Sequence, residues 1–393
     1  MKVVFFSNFL NHHQLPLCKE FCKREDVEFT FVATEPISQE RINMGYADMN
    51  KAYDFILCAY ESESSFCKAE ELAISSDIMI FGSAPLTFLQ KRMVNNKLTF
   101  YFCERILKKG TWRRFVPLVY RKIYNSFIRY RNKSLYVLSA SAFLSNDLKL
   151  CGFPTNKCFK WGYFPEITLK NINLLLQQKR ENKVVEILFA GRLLCLKNVL
   201  DTVKALKILL MKNITNFHFT IIGEGEQKKD IESYVENNSL QEYVTILPFM
   251  SADEVREYMD KANVYVFGSN FYEGWGAVVN EAMNSACALV VSHAVGSAPY
   301  LIENGVNGLI YECGNINHLA NQLNILIENQ IYREEVSINA YNTIIKEWTA
   351  EIAVERFLEL SKILEKTPDN SSIYEKGVCS SADIFTNKWI KKK

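Results

Sequence analysis

The 393 residues contain no Cys-x-x-Cys pair, no Asp-x-Asp and no apolar run approaching the ~18 residues of a membrane-spanning helix. The eleven cysteines are odd in number, and the nearest two, Cys18 and Cys22, stand one helical turn apart. That is neither a metal knuckle nor a disulfide framework, so reduced thiols in a cytosolic compartment are expected, most of them as small core residues. No group of His, Asp or Cys has metal-ligand spacing, so metal-independent chemistry without a cofactor is expected. The opening MKVVFFSNFLNHHQ turns polar too soon for a signal peptide and reads as a first buried strand. The net charge of +2 excludes a nucleic-acid coat or an acidic tail protein.

What is present is an ordinary globular composition, 48% hydrophobic and 23% charged, in a chain long enough for two or three domains. The charge is uneven: residues 1–165 carry a net +8 and residues 166–393 a net −6. Between Arg105 and Lys133 there are ten Lys/Arg and no Asp or Glu. Trp112, Phe115, Val119, Ile123, Phe127 and Tyr130 recur there at spacings of three or four, one helical face started or kinked by Pro117. Such a helix either lies on an anionic membrane surface or covers the sheet with a solvated basic face outward. The patch is local and no recognition motif accompanies it, so nucleic acid is not expected as a partner.

Unbroken apolar strands alternate with helical segments in both halves, which predicts α/β architecture with parallel sheets buried on both faces. In the first half, strands are expected at Val3–Ser7, Val27–Ala33, Phe55–Ala59, Ile78–Gly82, Leu98–Phe102 and Ser134–Leu138. In the second they are expected at Val184–Gly191, Phe217–Gly223, Val244–Leu247, Val264–Gly268 and Ala288–Ser292. The result is two doubly wound domains, 1–165 and 184–346. They are joined by a linker over 166–183, where Lys170–Lys183 is polar. A helix over 347–366 is expected to pack back toward the first domain, and a polar tail, 367–393, to be loosely ordered.

Four segments of the second domain sit where strands end and helices begin, the edge at which open α/β sheets place ligands. AGRLLCLKN (190–198) exposes Arg192 after Gly191 and brings Lys197 one loop later, two cations able to clamp a diphosphate without a metal. IIGEGE (221–226) holds Gly223 and Gly225 for a tight turn and close backbone approach. LPFM (247–250) offers backbone groups to a flat base. SNFYEGWGAVVNEAM (269–283) sets Glu273 before a GWG turn and Glu281 inside the next helix, with Gly274 and Gly276 admitting an anion or sugar hydroxyl at the helix start.

In this order and spacing the segments resemble the retaining glycosyltransferases of family 4, whose signature is Glu-x7-Glu with the GWG turn, preceded by GRL-x3-KN and followed by GSAPYLIENGVNGLIY at 296–311. The resemblance spans about 184–346 and implies the GT-B fold, two Rossmann-like doubly wound domains facing each other across a cleft. It implies that Arg192 and Lys197 neutralise the donor diphosphate and that Glu281 binds the ribose. Glu273 and the backbone of Gly274, Trp275, Gly276 and Ala277 hold the transferred sugar, and the Leu247–Phe249 backbone meets the base. Gly191 and Gly223 complete the donor set. Two places depart from the family pattern. NFLNHHQ stands where a Gly-Gly turn is common, and Tyr300 stands where an acidic residue often follows the 296 turn.

On the acceptor side, Asn11, His12 and His13 follow the first strand and Glu104 ends a later one, while His218 and His293 read as structural. The expected activity is transfer of a sugar, with retention, from a nucleotide diphosphate sugar to a hydroxyl of a lipid-linked or oligosaccharide acceptor in bacterial surface-polysaccharide biosynthesis. The expected location is cytoplasmic, with peripheral contact between 105–133 and the inner membrane face. A sugar-nucleotide epimerase of GT-B fold and a non-catalytic sugar-nucleotide-binding protein are the alternatives.

Overall fold

A computed structural model describes residues 1–39, 42, 47–367 and 374–391. The chain forms two compact units, and both are built from non-contiguous pieces. The first joins Met1–Glu166 to Trp348–Thr386, and the second joins Ile167–Glu347 to the described residues from Asn387 on.

The first unit is organised by a parallel sheet of seven strands: β1 (Lys2–Ser7), β2 (Glu28–Ala33), β3 (Ile56–Cys58), β4 (Ile78–Phe81), β5 (Thr99–Cys103), β6 (Leu135–Ser139) and β7 (Cys158–Lys160). Their spatial order is β3-β2-β1-β4-β5-β6-β7. Runs such as VVFF, IMIF and LYVLS are buried on both faces, which is why they lack strand alternation. The order reverses between β1 and β4, where Val3 pairs with Ile78 and Phe6 with Phe81, so a crevice opens beyond their carboxyl ends.

The second unit repeats the plan with β8 (Val185–Ala190), β9 (Phe217–Ile222), β10 (Val244–Leu247), β11 (Val264–Phe267), β12 (Ala288–Ser292) and β13 (Leu309–Tyr311). The order β10-β9-β8-β11-β12-β13 places its reversal between β8 and β11. All ladders between these strands are parallel. Helices follow the strands at Val199–Met211, Lys228–Asn237, Ala252–Lys261 and Val278–Asn284. The third opens on a capping box in which Ser251 and Glu254 satisfy each other's backbone N–H.

Three expectations change. The polar stretch taken as a linker contains a helix, Ile172–Arg180, capped by the Asn171 side chain. It buries Leu175, Leu176 and Lys179 within the second unit. The Lys179 ammonium donates to the carbonyls of Ala262, Ser285 and Ala286 at 2.6, 2.7 and 2.8 Å, tying off helix ends that otherwise leave acceptors unmet. The expected single helix in 105–133 is broken into a 3-10 turn (Thr111–Phe115), a helix (Pro117–Ser126) and a second 3-10 turn (Ile128–Tyr130). Pro117 starts the middle piece.

The third change is the tail, whose described part is ordered. Cys379 and Ala382 donate backbone hydrogen bonds to Lys160 and Cys158, and Lys160 donates to Ser380, so this segment runs antiparallel along the outer edge of β7. Val378, Cys379 and Ser380 are buried there, closing an edge that would otherwise invite a foreign strand. Residues 368–373 and 392–393 of the tail lie outside the described residues. The helix Ala350–Lys366 sits in the first unit, where Phe357 meets Phe21, Phe100 and Trp161. Among the described residues no helix is long and apolar enough to cross a membrane.

Candidate active site

At the reversal point of the second sheet, the loop after β8 carries Gly191, Arg192 and Lys197, and the loop after β11 carries Ser269, Asn270, Glu273, Gly274 and Gly276. Two asparagines stitch these loops together. Asn198, in the left-handed conformation (φ +52°), donates its amide to Gly268 O at 3.0 Å, and the Asn270 N–H donates to Leu196 O at 2.9 Å. That pinning brings Lys197 to Glu273: the ammonium donates to Oε2 at 2.5 Å, and Ser269 Oγ donates to the same oxygen at 2.9 Å. The two side chains are 17% and 15% exposed, so this charge-assisted bond is shielded but not sealed from water. Lys197 also lies over the Phe267 ring, 4.9 Å from its centre. Arg192 is exposed on the same loop.

The glycines of IIGEGE serve the neighbouring loop. A Cβ on Gly223 would sit 2.0 Å from Gly191 O, and one on Gly225 2.4 Å from Leu193 O. Backbone hydrogen bonds from Gly191 to Ile222, Leu193 to Glu224 and Gln227 to Leu193 hold the two loops together. Gly223 thereby lets the Arg192 loop lie flat against its neighbour. Its N–H donates to Leu247 O at 3.1 Å, so one backbone acceptor of the LPFM segment is engaged within the protein. Phe249, in contrast, is 59% exposed.

The GWG turn is anchored from inside. Trp275 is fully buried, its indole N–H donates to Asn280 at 2.9 Å, and its carbonyl accepts from the Ser297 N–H at 3.1 Å. Gly276 has φ +85°, and a Cβ there would meet the Phe267 ring at 2.6 Å. The turn leads through Ala277 into the helix Val278–Asn284, whose Glu281 side chain is partly buried, 17% exposed. Burial pushes the Glu281 carboxyl above its ordinary range, and the Arg256 guanidinium, 3.5 Å away, draws it back. Beside the turn, Phe271 stands edge-on to His293 at 5.2 Å. His293 Nδ1 accepts from the Cys313 N–H, and its Nε2 bonds to Asn387 O, while Trp389 Nε1 donates to His293 O. His293 is thus a brace between strand end and tail. Tyr300 packs 6.2 Å from the Trp275 ring.

The acceptor-side candidates share the carboxyl edge of the first sheet. Asn11 Oδ1 accepts from the N–H groups of His13 and Gln14, a turn that launches the helix Leu15–Cys22. His12 and His13 lie ring to ring at 3.8 Å, and His13 stands 5.8 Å from Tyr163. The Tyr163 hydroxyl donates to Glu104 at 3.1 Å, and Lys108 donates to the other Glu104 oxygen at 2.7 Å. Tyr163 carried no motif, yet it connects His13 to Glu104. Arg105, counted among the surface cations, is buried against Asp147 at 3.2 Å. Among the described residues, no group of three or more His, Cys, Asp or Glu could hold a metal ion.

Residues 173–343 match the family model described as glycosyl transferases group 1. An uncharacterized glycosyltransferase of Methanocaldococcus jannaschii is 31% identical over 184 residues, 46% of this chain and 48% of that protein. The poly(glycerol-phosphate) alpha-glucosyltransferase of Bacillus subtilis is 27% identical over 199 residues, 47% of this chain and 29% of that protein. The chain therefore spans about half or less of the length of these two relatives. In structure, the Anabaena protein HepE in complex with UDP superposes with a TM-score of 0.67 at 17% identity, over 93% of this chain and 100% of that one. The two parallel-sheet units have the GT-B fold of that structure, and residues 173–343 resemble the group 1 glycosyl transferases.

Proposed function

We propose that this chain is a retaining, metal-independent glycosyltransferase of family 4 that moves a hexosyl group from a nucleotide diphosphate sugar to a hydroxyl of a lipid-linked or oligosaccharide acceptor. One observation carries the reading: Arg192, Lys197 and Glu273 sit together on the two loops at the reversal point of the second sheet, where a diphosphate and its sugar would meet cation and carboxylate.

In the reaction, the bond from the sugar C1 to the diphosphate oxygen breaks with its electron pair leaving on the phosphate. A bond from C1 to the acceptor oxygen forms on the same face. The acceptor proton passes to the departing phosphate oxygen. Charge grows on the leaving group, and Arg192 and Lys197 stabilise it. Lys197 is bound to Glu273, and a donor phosphate would compete with that carboxylate for the ammonium. That exchange frees Glu273 for a sugar hydroxyl. Glu281 takes the ribose hydroxyls, and the backbone of Gly274–Ala277 lines the sugar. His13, Tyr163 and Glu104 of the first unit engage the acceptor. Two neighbours inform the choice of ligands: the Anabaena protein binds UDP in its crystal, and the Bacillus relative is named for a poly(glycerol-phosphate). The basic stretch 105–133 supports work at the inner face of a membrane, in surface-polysaccharide assembly.

The test begins with thermal shift against UDP-, GDP-, ADP- and TDP-sugars, since donor binding to the folded state raises the midpoint. Transfer is then measured with the donor that binds. Arg192→Ala and Lys197→Ala are each expected to lower turnover by ~10²–10³-fold. Near-normal rates in both variants would refute the clamp. Activity abolished by EDTA would refute metal independence, and isomerised donor without acceptor would identify an epimerase.

A further inference from the structure

The stretch 105–133 divides at Pro117. Beyond it, Ile123, Phe127 and Tyr130 are buried in the core of the first unit, with Val119 packed against them. Before it and at the first helical turn, Trp112, Phe115 and Leu118 are 63%, 73% and 79% exposed. Trp112 and Phe115 stand three apart within the 3-10 turn, the geometry that lines up residues i and i+3 on one side, and Leu118 follows in the first turn of the helix Pro117–Ser126, beyond the extended residue Val116. Tyr120 and Tyr124 extend the exposed apolar surface. Lys109, Arg121, Lys122, Arg129 and Arg131 are exposed around it. No Asp or Glu lies between Arg105 and Lys133, and none of the five cations forms a salt bridge among the described residues. The Arg114 guanidinium lies over the Phe115 ring, 4.2 Å from its centre.

We propose that this patch is a membrane-docking wedge: Trp112, Phe115 and Leu118 enter the interfacial layer of an anionic bilayer while the surrounding lysines and arginines meet lipid phosphates. Charge selects the occupant. A second copy joined through the same surface would set one unbalanced cationic rim against another, so a two-fold self-contact is opposed. An anionic lipid surface supplies apolar depth and negative charge in one plane, and tryptophan and tyrosine favour that boundary. The wedge deepens the proposed acceptor reading and rests on it for a lipid-borne acceptor, but the contact itself needs no sugar and is measured without one.

The experiment is co-sedimentation of the full chain with vesicles of phosphatidylcholine alone or with phosphatidylglycerol at about one third, at low and high salt. Binding is expected to the anionic vesicles and to weaken with salt. Trp161, Trp275 and Trp348 are fully buried, and Trp112 is the most exposed of the five tryptophans, so a blue shift of emission lost in Trp112→Phe marks insertion. The triple variant W112S/F115S/L118S, which alters side chains already in water, is expected to bind ~100-fold more weakly. R121E/K122E is expected to lose at least ~10-fold. Both should keep the donor-induced thermal shift, which reads the second unit. Absence of wild-type binding at low salt, or undiminished binding of the triple variant, overturns the wedge. A dimer abolished by the triple variant overturns it in favour of self-association. Vesicle binding without sugar transfer would support the wedge while the functional reading fails.

Discussion

Replacing Gly223 by alanine tests the joint that supports the cationic loop. The added Cβ would lie 2.0 Å from Gly191 O and 3.0 Å from Gly191 C, both backbone atoms that no rotamer change can move. The two strand ends must part by more than an ångström, which breaks or stretches the bonds from Gly191 to Ile222 (3.0 Å) and from Leu193 to Glu224 (2.8 Å). Gly223 also has φ +147°, a value that side chains resist. Backbone strain of ~1–2 kcal/mol and two weakened hydrogen bonds at about 1 kcal/mol each give a cost of about 3–4 kcal/mol. For a unit of this size that corresponds to a fall of about 6–16 °C in the melting temperature. Gly314→Ala is the control: its φ is +78°, but nothing lies within 4 Å of the new Cβ, so only strain of ~1–2 kcal/mol remains and a fall of about 2–8 °C is expected. Scanning calorimetry of the two variants, with sugar-nucleotide binding measured well below either transition, separates the outcomes. If Gly223→Ala melts with Gly314→Ala and binds donor normally, the argument that this glycine exists to seat the Arg192 loop is wrong.

Lys197→Met and Glu273→Gln, alone and together, should show a coupling of about 1–2 kcal/mol in denaturant unfolding, because the pair is shielded but not dry; additive effects would mean it contributes nothing. Glu281 has a carboxyl raised by burial, so between its unfolded and folded titrations the folded state holds a proton that the unfolded chain has released. Stability from this group is therefore full at acid pH and declines as pH rises through the folded value. Glu281→Gln should gain on wild type in melting temperature as pH rises above the ordinary glutamate range, and parallel profiles would refute the burial cost. Lys179→Met strands three carbonyls, and should lower unfolding free energy by about 3 kcal/mol in urea; a change under about 1 kcal/mol would show that these acceptors find water.

The strands were legible because sheets buried on both faces demand unbroken apolar runs, and VVFF or LFA leave little alternative. Two three-residue strands, β7 and β13, escaped notice: Cys158–Lys160 pairs on one side with a tail segment more than 200 residues later, which no local pattern reports. The helix Ile172–Arg180 read as a linker because its surface is Gln, Lys and Arg, while the Leu175–Leu176 pair that seats it was too short to show a period. The four donor-side segments were visible from glycine and charge at strand ends. The Lys197–Glu273 contact was not, since it spans 76 positions and depends on Asn198 and Asn270 joining two loops. Arg105 looked like surface charge because its partner, Asp147, lies 42 residues away.

The routing of the tail bears on how this molecule is made. Edge strand β7 waits for residues 379–382, and His293 waits for Asn387 and Trp389. During synthesis the first sheet leaves the ribosome with its last strand bare and stays so while more than 200 further residues are added. For that interval it exposes an uncovered strand edge, the feature on which nascent chains stick to one another.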